Sequence, residues 1–403
     1  MKSLFRNTLA RPGGIIALAV AAALSGGAAH AAGTLSGTSI NNTANLTFSV
    51  GGTTQTPIVS NTATFLVDNK VNLTVAEVGG GATVVVADPS VAVTALTTFT
   101  VTNNGNTTQD FSLVVANLGS GTANPFGGAI LDNYTAGSCT VSNIVIVGGG
   151  SMGLYTAADQ HINALIPDSS ATVTVSCTTP PAQANNSLAV ISLTATARTN
   201  DALNTLGGVL TNNVGQADLA MTVQTVFADV AGSDDLANAA NHSARDAYLV
   251  QTAVLSVAKV ATLLCDPFNG STFPKNIPLA YVQYAITISN TGSAAATLSQ
   301  VTDTLQTELT WDPLLISGAG VAANCAAGSQ SLSTTGFGAL RGTGATTYAA
   351  PGSATQNVTA GATVSGQLVT ITFSTLAGTA YGTANASLPT NSFVTVYFNV
   401  FVQ

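Results

Sequence analysis

The sequence predicts an all-β protein with two β-sandwich modules and an N-terminal strand pair. Apolar and polar residues alternate with the period of two that half-buried strands show, for example over 172–176 and 393–400. Turn-forming pairs such as Asn104-Gly105 separate these runs. A two-part internal repeat indicates that one β-rich unit occurs twice.

The first 31 residues have the pattern of a signal peptide. A basic start is followed by a short apolar run over 15–24 and by a small-residue cleavage site after Ala31. The apolar run is too short to cross a bilayer, and no later run is long enough. We therefore expect a secreted protein with no transmembrane span, located outside a bacterial cell or on its surface.

The charge of the exported chain excludes two classes of partner. Removing residues 1–31 leaves six basic residues against seventeen acidic ones, which gives a net charge of −11. The six cations are scattered singly along the sequence, whereas nucleic-acid and anionic-lipid sites need clustered ones. We expect neither partner.

Residues 32–70 are predicted to form an N-terminal β-hairpin. Its strands would cover 40–50 and 53–67, with a turn at Gly51-Gly52. Two strands alone are only marginally stable. The hairpin should therefore pack on the first sandwich or pair with another molecule.

The internal repeat defines the two modules. Residues 99–106 resemble residues 286–293, and residues 166–175 resemble residues 388–397. Both matches occur in the same order, as two sandwiches of common design would require.

The predicted boundaries follow from this repeat. The first sandwich should cover 71–228 and the second 251–403, with a linker over 229–250 between them. Residues 234–249 are Ala-rich and carry much of the local charge. A short helix within that linker is the other interpretation of this segment.

The cysteines favour disulfide bonds. An exported chain with an even number of cysteines is expected to oxidise them, whereas zinc would need close pairs or nearby histidines. Proximity in sequence suggests that Cys139 pairs with Cys177 and that Cys265 pairs with Cys325. The other two connectivities remain open.

The second module resembles a known family of surface-protein repeats. Residues 284–292, read YAITISNTG, and residues 301–305, read VTDTL, are similar to the conserved-repeat domain of bacterial and archaeal surface proteins, known as domain of unknown function eleven. Lys259 stands where such repeats often carry a lysine. The resemblance covers roughly 251–403, with a degenerate copy over 71–200, and departs by long insertions around Cys325 and after Phe337. It implies an immunoglobulin-like sandwich and no assigned activity.

A glycine-rich segment offers one candidate for catalysis. Residues 148–153, read GGGSMG, match both a dinucleotide-binding motif and a nucleophile elbow at Ser151. The first needs a following helix, and the second needs a helix and a histidine, for which only His161 and His242 remain after cleavage. A hairpin turn explains the same residues, so we predict no catalytic and no cofactor-binding residue.

Four aspartates between the modules offer a candidate metal site. Oxygen-rich loops can hold Ca²⁺, which takes six to eight oxygen ligands, whereas a solvated linker explains the same charges without a metal. We assign no metal ligand. The residues are Asp229, Asp234, Asp235 and Asp246.

The function that these patterns favour is structural. We expect an exported, non-catalytic structural or adhesive protein of the cell surface, such as a self-assembling filament or matrix subunit. Residues 33–67 and 393–403 carry no charge and lie at chain ends, so they are candidates for self-association or for contact with other surface proteins. The alternative is a monomeric glycan- or protein-binding module.

Overall fold

The computed structural model describes residues 33–149, 161–312, 332, 336–344 and 356–403. All regular secondary structure in these ranges is β, which confirms the predicted all-β class and its β-sandwiches. Within them, no helix is long and apolar enough to cross a membrane.

The N-terminal strand pair is a long, interrupted hairpin. β1 pairs with β6, β2 with β5 and β3 with β4, all antiparallel. Gly51 and Gly52 form the tip with φ of +54° and +81°, as a tight two-residue hairpin turn requires. The strands are β1 (Ser39–Asn42), β2 (Asn45–Leu46), β3 (Ser49–Val50), β4 (Thr53–Thr54), β5 (Ile58–Val59) and β6 (Ala63–Leu66).

The first module is a sandwich of two sheets. One sheet has the order β12-β14-β10-β8 and the other β13-β11-β15-β17-β9, while β7 and β16 form a parallel pair beside them. Phe99, Phe111, Val173 and Tyr248 meet in the core between the sheets. The strands are β7 (Asn69–Val71), β8 (Leu73–Glu77), β9 (Thr83–Val86), β10 (Val93–Asn103), β11 (Gln109–Asn117), β12 (Gly137–Val147), β13 (His161–Leu165), β14 (Ser170–Thr179), β15 (Leu188–Thr199), β16 (Thr225–Phe227) and β17 (Asn241–Gln251).

The linker or helix expected over 229–250 is wrong for its second half. Residues 241–251 form β17, which lies between β15 and β9 in the middle of a sheet. Ala247 and Tyr248 are fully buried there. Tertiary packing overrides the helix propensity of the alanines, so the first module extends to residue 251.

The second module has one long sheet and several short ones. In the long sheet, β18, β19 and β29 are consecutive neighbours, and both β22 and β23 pair with the far side of β29. The opposite layer contains the sheet β21-β26-β25 and the pairs β20-β28 and β24-β27. Phe337, Ile371 and Phe398 pack between the layers. The strands are β18 (Leu255–Cys265), β19 (Tyr281–Asn290), β20 (Ala296–Thr297), β21 (Gln300–Thr304), β22 (Leu309–Trp311), β23 (Phe337–Thr343), β24 (Val358–Ala360), β25 (Ala362–Ser365), β26 (Leu368–Thr372), β27 (Ala377–Gly378), β28 (Ser387–Leu388) and β29 (Ser392–Val402).

Each module has a buried asparagine at the end of a long strand, β10 in the first module and β19 in the second. In the first module, Asn103 donates from Nδ2 to the carbonyl oxygens of Thr107 at 2.9 Å and Leu165 at 2.8 Å. Its Oδ1 accepts the N–H of Gly105 at 3.0 Å. One side chain therefore joins a tight turn to the chain that returns to the sheet.

Asn290 makes the same contacts in the second module. Its Nδ2 donates to the carbonyl oxygens of Ala294 at 2.8 Å and Leu388 at 3.1 Å, and its Oδ1 accepts the N–H of Gly292 at 3.0 Å. Both asparagines are fully buried. The internal repeat therefore corresponds to the same local structure in both modules, a tight turn that a buried asparagine joins to the returning chain. We call this structure the shared corner.

The equivalence also corrects one alignment by a residue. Because Asn103 and Asn290 bond to Leu165 and Leu388, these two leucines are equivalent, whereas the sequence comparison placed Ile166 opposite Leu388. The corrected register also aligns Asp168 with Asn391, which have positive φ values of 60° and 48°. Apolar similarity alone did not distinguish Leu165 from Ile166.

A disulfide between Cys139 and Cys177 joins β12 to β14, as predicted. Cys265 is also disulfide-bonded and lies at the end of β18. Cys325, its predicted partner, lies outside the described residues, so that pairing stays a prediction.

Candidate functional site

The N-terminal hairpin presents apolar side chains to solvent on both faces. Val50, Ile58 and Phe65 are 63%, 56% and 58% exposed. The hydrogen bonds of residues 39–66 are internal to the hairpin. Because an isolated two-stranded ribbon is marginal in water, this uncharged segment has the properties of a docking element.

The hairpin is attached to the first module at its base. Asn106 is the centre of the attachment, because its carbonyl oxygen accepts the N–H of Ser36 at 3.1 Å and its Nδ2 donates to the carbonyl oxygen of Thr34 at 3.1 Å. The same Nδ2 donates to the carbonyl oxygen of Asp68 at 2.9 Å. Both ends of the hairpin are thus fixed while its tip extends from the module.

β8 in the first module and β18 in the second occupy equivalent positions, because each is the terminal strand of its sheet and pairs with the strand that carries the buried asparagine. The outer edges of these two strands differ. In the first module, the N–H of Val75 on β8 donates to Nδ1 of His242 at 3.0 Å. His242 belongs to β17 of the facing sheet, so a side chain occupies the outer edge of β8. The sequence indicates His242 only as a candidate catalytic base and does not predict this contact.

Over residues 255–261, no described residue bonds to the outer edge of β18, whereas Thr262 and Cys265 at its far end have bonding partners. β18 is eleven residues long and is the terminal strand of its sheet. Val257 is 64% exposed on it. Its one charge, Lys259, is paired with Asp303 at 2.5 Å and lies over the ring of Tyr284 at 4.2 Å. A long strand with exposed apolar groups and a neutralised charge is a natural template for strand addition.

The C-terminal strand is not a second free edge. The sequence marks residues 393–403 as a candidate edge for self-association, and that interpretation is wrong. β29 pairs with β19 along one side and with β22 and β23 along the other. The absence of charge in this segment reflects its burial at the centre of the sheet.

The four aspartates expected between the modules lie in the first module, and three of them hold loop backbone or an ion pair. Asp229 accepts the N–H groups of Ala239 and Ala240, each at 3.0 Å. Asp235 accepts the N–H of Ser243 at 2.8 Å. Asp234 bonds to Arg245, and this bond lowers the pKa of Asp234. No cluster of three or more metal-ligating side chains occurs in the part of the chain that the structure describes.

Asp246 differs from these three because it is buried on β17. Burial raises its pKa to about 7, and the nearby charge of Glu77 acts in the same direction. Its carboxylate accepts the N–H of Ala247 at 2.6 Å, which opposes the shift only in part. We therefore expect the stability of the first module to depend on pH.

The glycine-rich candidate is described only at its start. Gly148 and Gly149 follow β12 with φ of +99° and +130°, values that favour glycine. Ser151 and the rest of the motif lie outside the described residues. His161, one candidate base, is the first residue of β13.

Comparison with known proteins gives no family. No protein-family model and no curated protein matches the chain. One solved structure, described as a "Putative membrane anchored protein" from Corynebacterium diphtheriae, is similar over 91% of this chain and 89% of its own, at 8% identity and a TM-score of 0.17. A similarity this low carries no argument about fold or function, and the resemblance to the surface-protein repeat family stays a prediction.

Proposed function

We propose that this protein is an exported, non-catalytic structural or adhesive component of a bacterial cell surface, and that copies associate through the N-terminal hairpin. The signal-peptide pattern and the Cys139–Cys177 disulfide support export to an oxidising compartment. An immunoglobulin-like character of the sandwiches belongs to the same proposal.

The observation that carries the proposal is the hairpin itself. It is anchored at its base, has no charge from residue 33 to residue 67, and exposes Val50, Ile58 and Phe65. Monomeric proteins usually protect such strands with lysine, proline or inward charges. A strand-edge contact would give its backbone groups hydrogen-bond partners and remove its apolar side chains from water.

The acceptor that fits this donor is β18 of a second copy. Both surfaces are apolar at their centres, and the Lys259–Asp303 pair leaves no net charge opposite the hairpin. The equivalent edge in the first module is occupied at Val75 by His242. Hairpin-to-β18 contact between copies would produce head-to-tail chains.

The test is the mass of the mature protein in solution. We expect residues 32–403 to form concentration-dependent oligomers by sedimentation or light scattering, and deletion of residues 32–67 to weaken them. Ile58→Lys should weaken association in the same way, because it places a charge within the apolar face. Val114→Lys is the matched control, since Val114 is 58% exposed on the first module.

A strictly monomeric mature protein would contradict the proposal and would favour the monomeric binding module. A deletion that changes only thermal stability, with association unaltered, would contradict the role of the hairpin.

A further inference from the structure

The second module carries an ordered loop with two exposed aromatic rings at the end opposite its shared corner. At this end, opposite Asn290, residues 266–280 connect β18 to β19. Phe268 and Phe273 are 81% and 75% exposed in the loop, and Phe268 is the most exposed large apolar side chain of the described residues. Aromatic side chains are enriched at the centres of protein interfaces. The loop therefore has the composition of a contact surface.

The carboxylate of Asp266 fixes the shape of this loop. Its Oδ1 accepts the N–H groups of Phe268 at 2.7 Å and Asn269 at 2.6 Å. Its Oδ2 accepts the N–H of Lys275 at 2.6 Å and the Nδ2 group of Asn269 at 2.9 Å. Because the backbone on both sides of Phe273 is already held, docking of the two rings costs little ordering entropy.

A groove of matching character lies at the base of the hairpin. It has a volume of about 450 Å³ and lies between the end of β6 and the segment 218–222. Phe65, Leu219 and Met221 line it, and each is 58% exposed. An aromatic ring, a branched alkyl group and a thioether all pack favourably against an incoming aromatic ring. The groove is therefore a suitable acceptor for aromatic side chains.

The loop and the groove carry opposite charges. Lys275 is the only cation of residues 266–280 and is exposed. Two carboxylates, those of Asp68 and Asp218, line the groove, and no lysine or arginine is among its described lining residues. Asp68 accepts the N–H of Gln224 at 2.8 Å, whereas the side chain of Asp218 is exposed. Opposite charges around an apolar contact fix its orientation and register.

The junction of the two modules shows which ends meet within one chain. Asn185 lies at the end of the first module opposite its shared corner, and its Oδ1 accepts the N–H of Thr252 at 2.9 Å and the hydroxyl of Ser293 at 2.5 Å. Ser293 follows the corner turn of the second module. The far end of one module therefore contacts the corner end of the next. The loop and the groove lie at the two remaining ends of this series, because Asn106 in the first corner turn holds the hairpin base.

We propose that the loop of one copy docks into the groove of a second copy of this chain, with Phe268 and Phe273 in the groove and Lys275 facing Asp218. The contact repeats between copies the order in which the modules meet within one chain. It rests on the proposed self-association and deepens it, because it places the base of the hairpin beside the end of β18 while the hairpin runs along the outer edge of that strand. The two surfaces differ, so repetition of the contact gives an open head-to-tail chain.

The experiment measures the association constant of the full mature protein by sedimentation equilibrium at several concentrations. The double substitution Phe268→Ser/Phe273→Ser should weaken association at least about tenfold, because it removes both rings from the contact. Both side chains are exposed, so thermal unfolding should not change. Val114→Ser is the matched control and should associate like the parent, since Val114 is exposed on β11 and does not line the groove.

A charge exchange tests whether the loop and the groove touch each other. Lys275→Glu should weaken association about threefold, because the new carboxylate would face Asp218. Asp218→Lys should weaken it by a similar factor, because it would place a second cation opposite Lys275. The combined variant Lys275→Glu/Asp218→Lys should regain the association constant of the parent.

Association of the Phe268→Ser/Phe273→Ser variant equal to that of the parent would overturn the inference. The proposed function would stand in that case if Ile58→Lys still weakened association. Additive losses from the two charge reversals would also overturn the inference. Loss of binding to phosphatidylethanolamine vesicles by the phenylalanine variant, with an unchanged association constant, would assign the loop to a lipid surface instead. A monomeric parent protein would contradict the proposed function itself.

Discussion

The two modules share a corner and differ in how each sandwich is closed. Asn103 and Asn290 make the same bonds in the two halves. In the first module, β15 and β17 follow the returning strand β14 and complete a five-stranded second sheet. In the second, shorter sheets formed by strands between β19 and β29 cover that layer. The layer that closes each sandwich therefore comes from different parts of the chain in the two modules.

The same difference determines which edge is protected. β17 brings His242 to the edge of β8, whereas no described residue does the same for residues 255–261 of β18. Under the proposed function, two units of common design would thus have opposite association properties. The first module supplies the anchored hairpin, and the second supplies the edge that would receive it.

The largest expected effect concerns the disulfide of the first module. Replacing both Cys139 and Cys177 with Ala should lower the free energy of unfolding of that module by about 4 kcal/mol, because the bond closes a loop with a sequence separation of 38 residues. Calorimetry of the full chain should show the first module's transition shifted down in temperature. An unchanged first module would contradict the comparison.

The next effect tests the shared corner. Asn103→Ala and Asn290→Ala should each destabilise their own module by about 3 kcal/mol, since each leaves several buried backbone groups without partners. Thermal unfolding followed by proteolysis can assign each loss to a module. If one substitution were neutral, the two corners would not be equivalent.

A smaller effect tests the contact of His242 with the edge of β8. His242→Leu removes the bond to the N–H of Val75 and should cost about 1 kcal/mol. It should also raise hydrogen exchange at Val75, because the edge becomes accessible. Exchange at Val257 on β18 should not change.

A further prediction is a pH dependence of the first module between pH 4 and pH 7. Burial raises the folded-state pKa of Asp246 from 3.8 to about 7, so folding favours its protonated form. The contribution of Asp246 to the free energy of unfolding should therefore be largest below pH 4, decrease as pH rises toward 7, and level off above that. Denaturant titrations at several pH values should show this decrease in the parent and not in Asp246→Asn.

Asp234→Asn provides the opposite sign as a control. Its bond with Arg245 lowers the pKa of Asp234, so the stabilisation is present at neutral pH and is lost as pH falls. A parent protein whose stability rises from pH 4 to pH 7 would contradict the role of Asp246.

The sequence predicted where strands occur better than it predicted which strands pair with each other. Alternation identified 393–400 as a strand, and Gly51-Gly52 located the hairpin turn. Alternation does not report which strands lie beside a segment, so the central position of β29 was missed. The alanines of 241–251 obscured β17 because their burial depends on β15 and β9, which are distant in sequence.

Polar side chains were the least predictable. Gln109 looks like a surface residue in the sequence, and only the packing of β13 and β15 beside β11 reveals its burial. No sequence motif around His242 indicates that its side chain would bond to the edge of β8. These roles arise from contacts between residues far apart in the chain, such as the pair formed by Val75 and His242.

Hydrogen exchange at the backbone of β18 tests the central claim most directly. Mature protein at high concentration should be compared with the same protein lacking residues 32–67, with β8 as the internal control. We expect the amides of 255–261 to be protected in the mature protein and to exchange faster after the deletion, while β8 is unchanged. Equal exchange of 255–261 in the two proteins would contradict the hairpin-to-β18 contact.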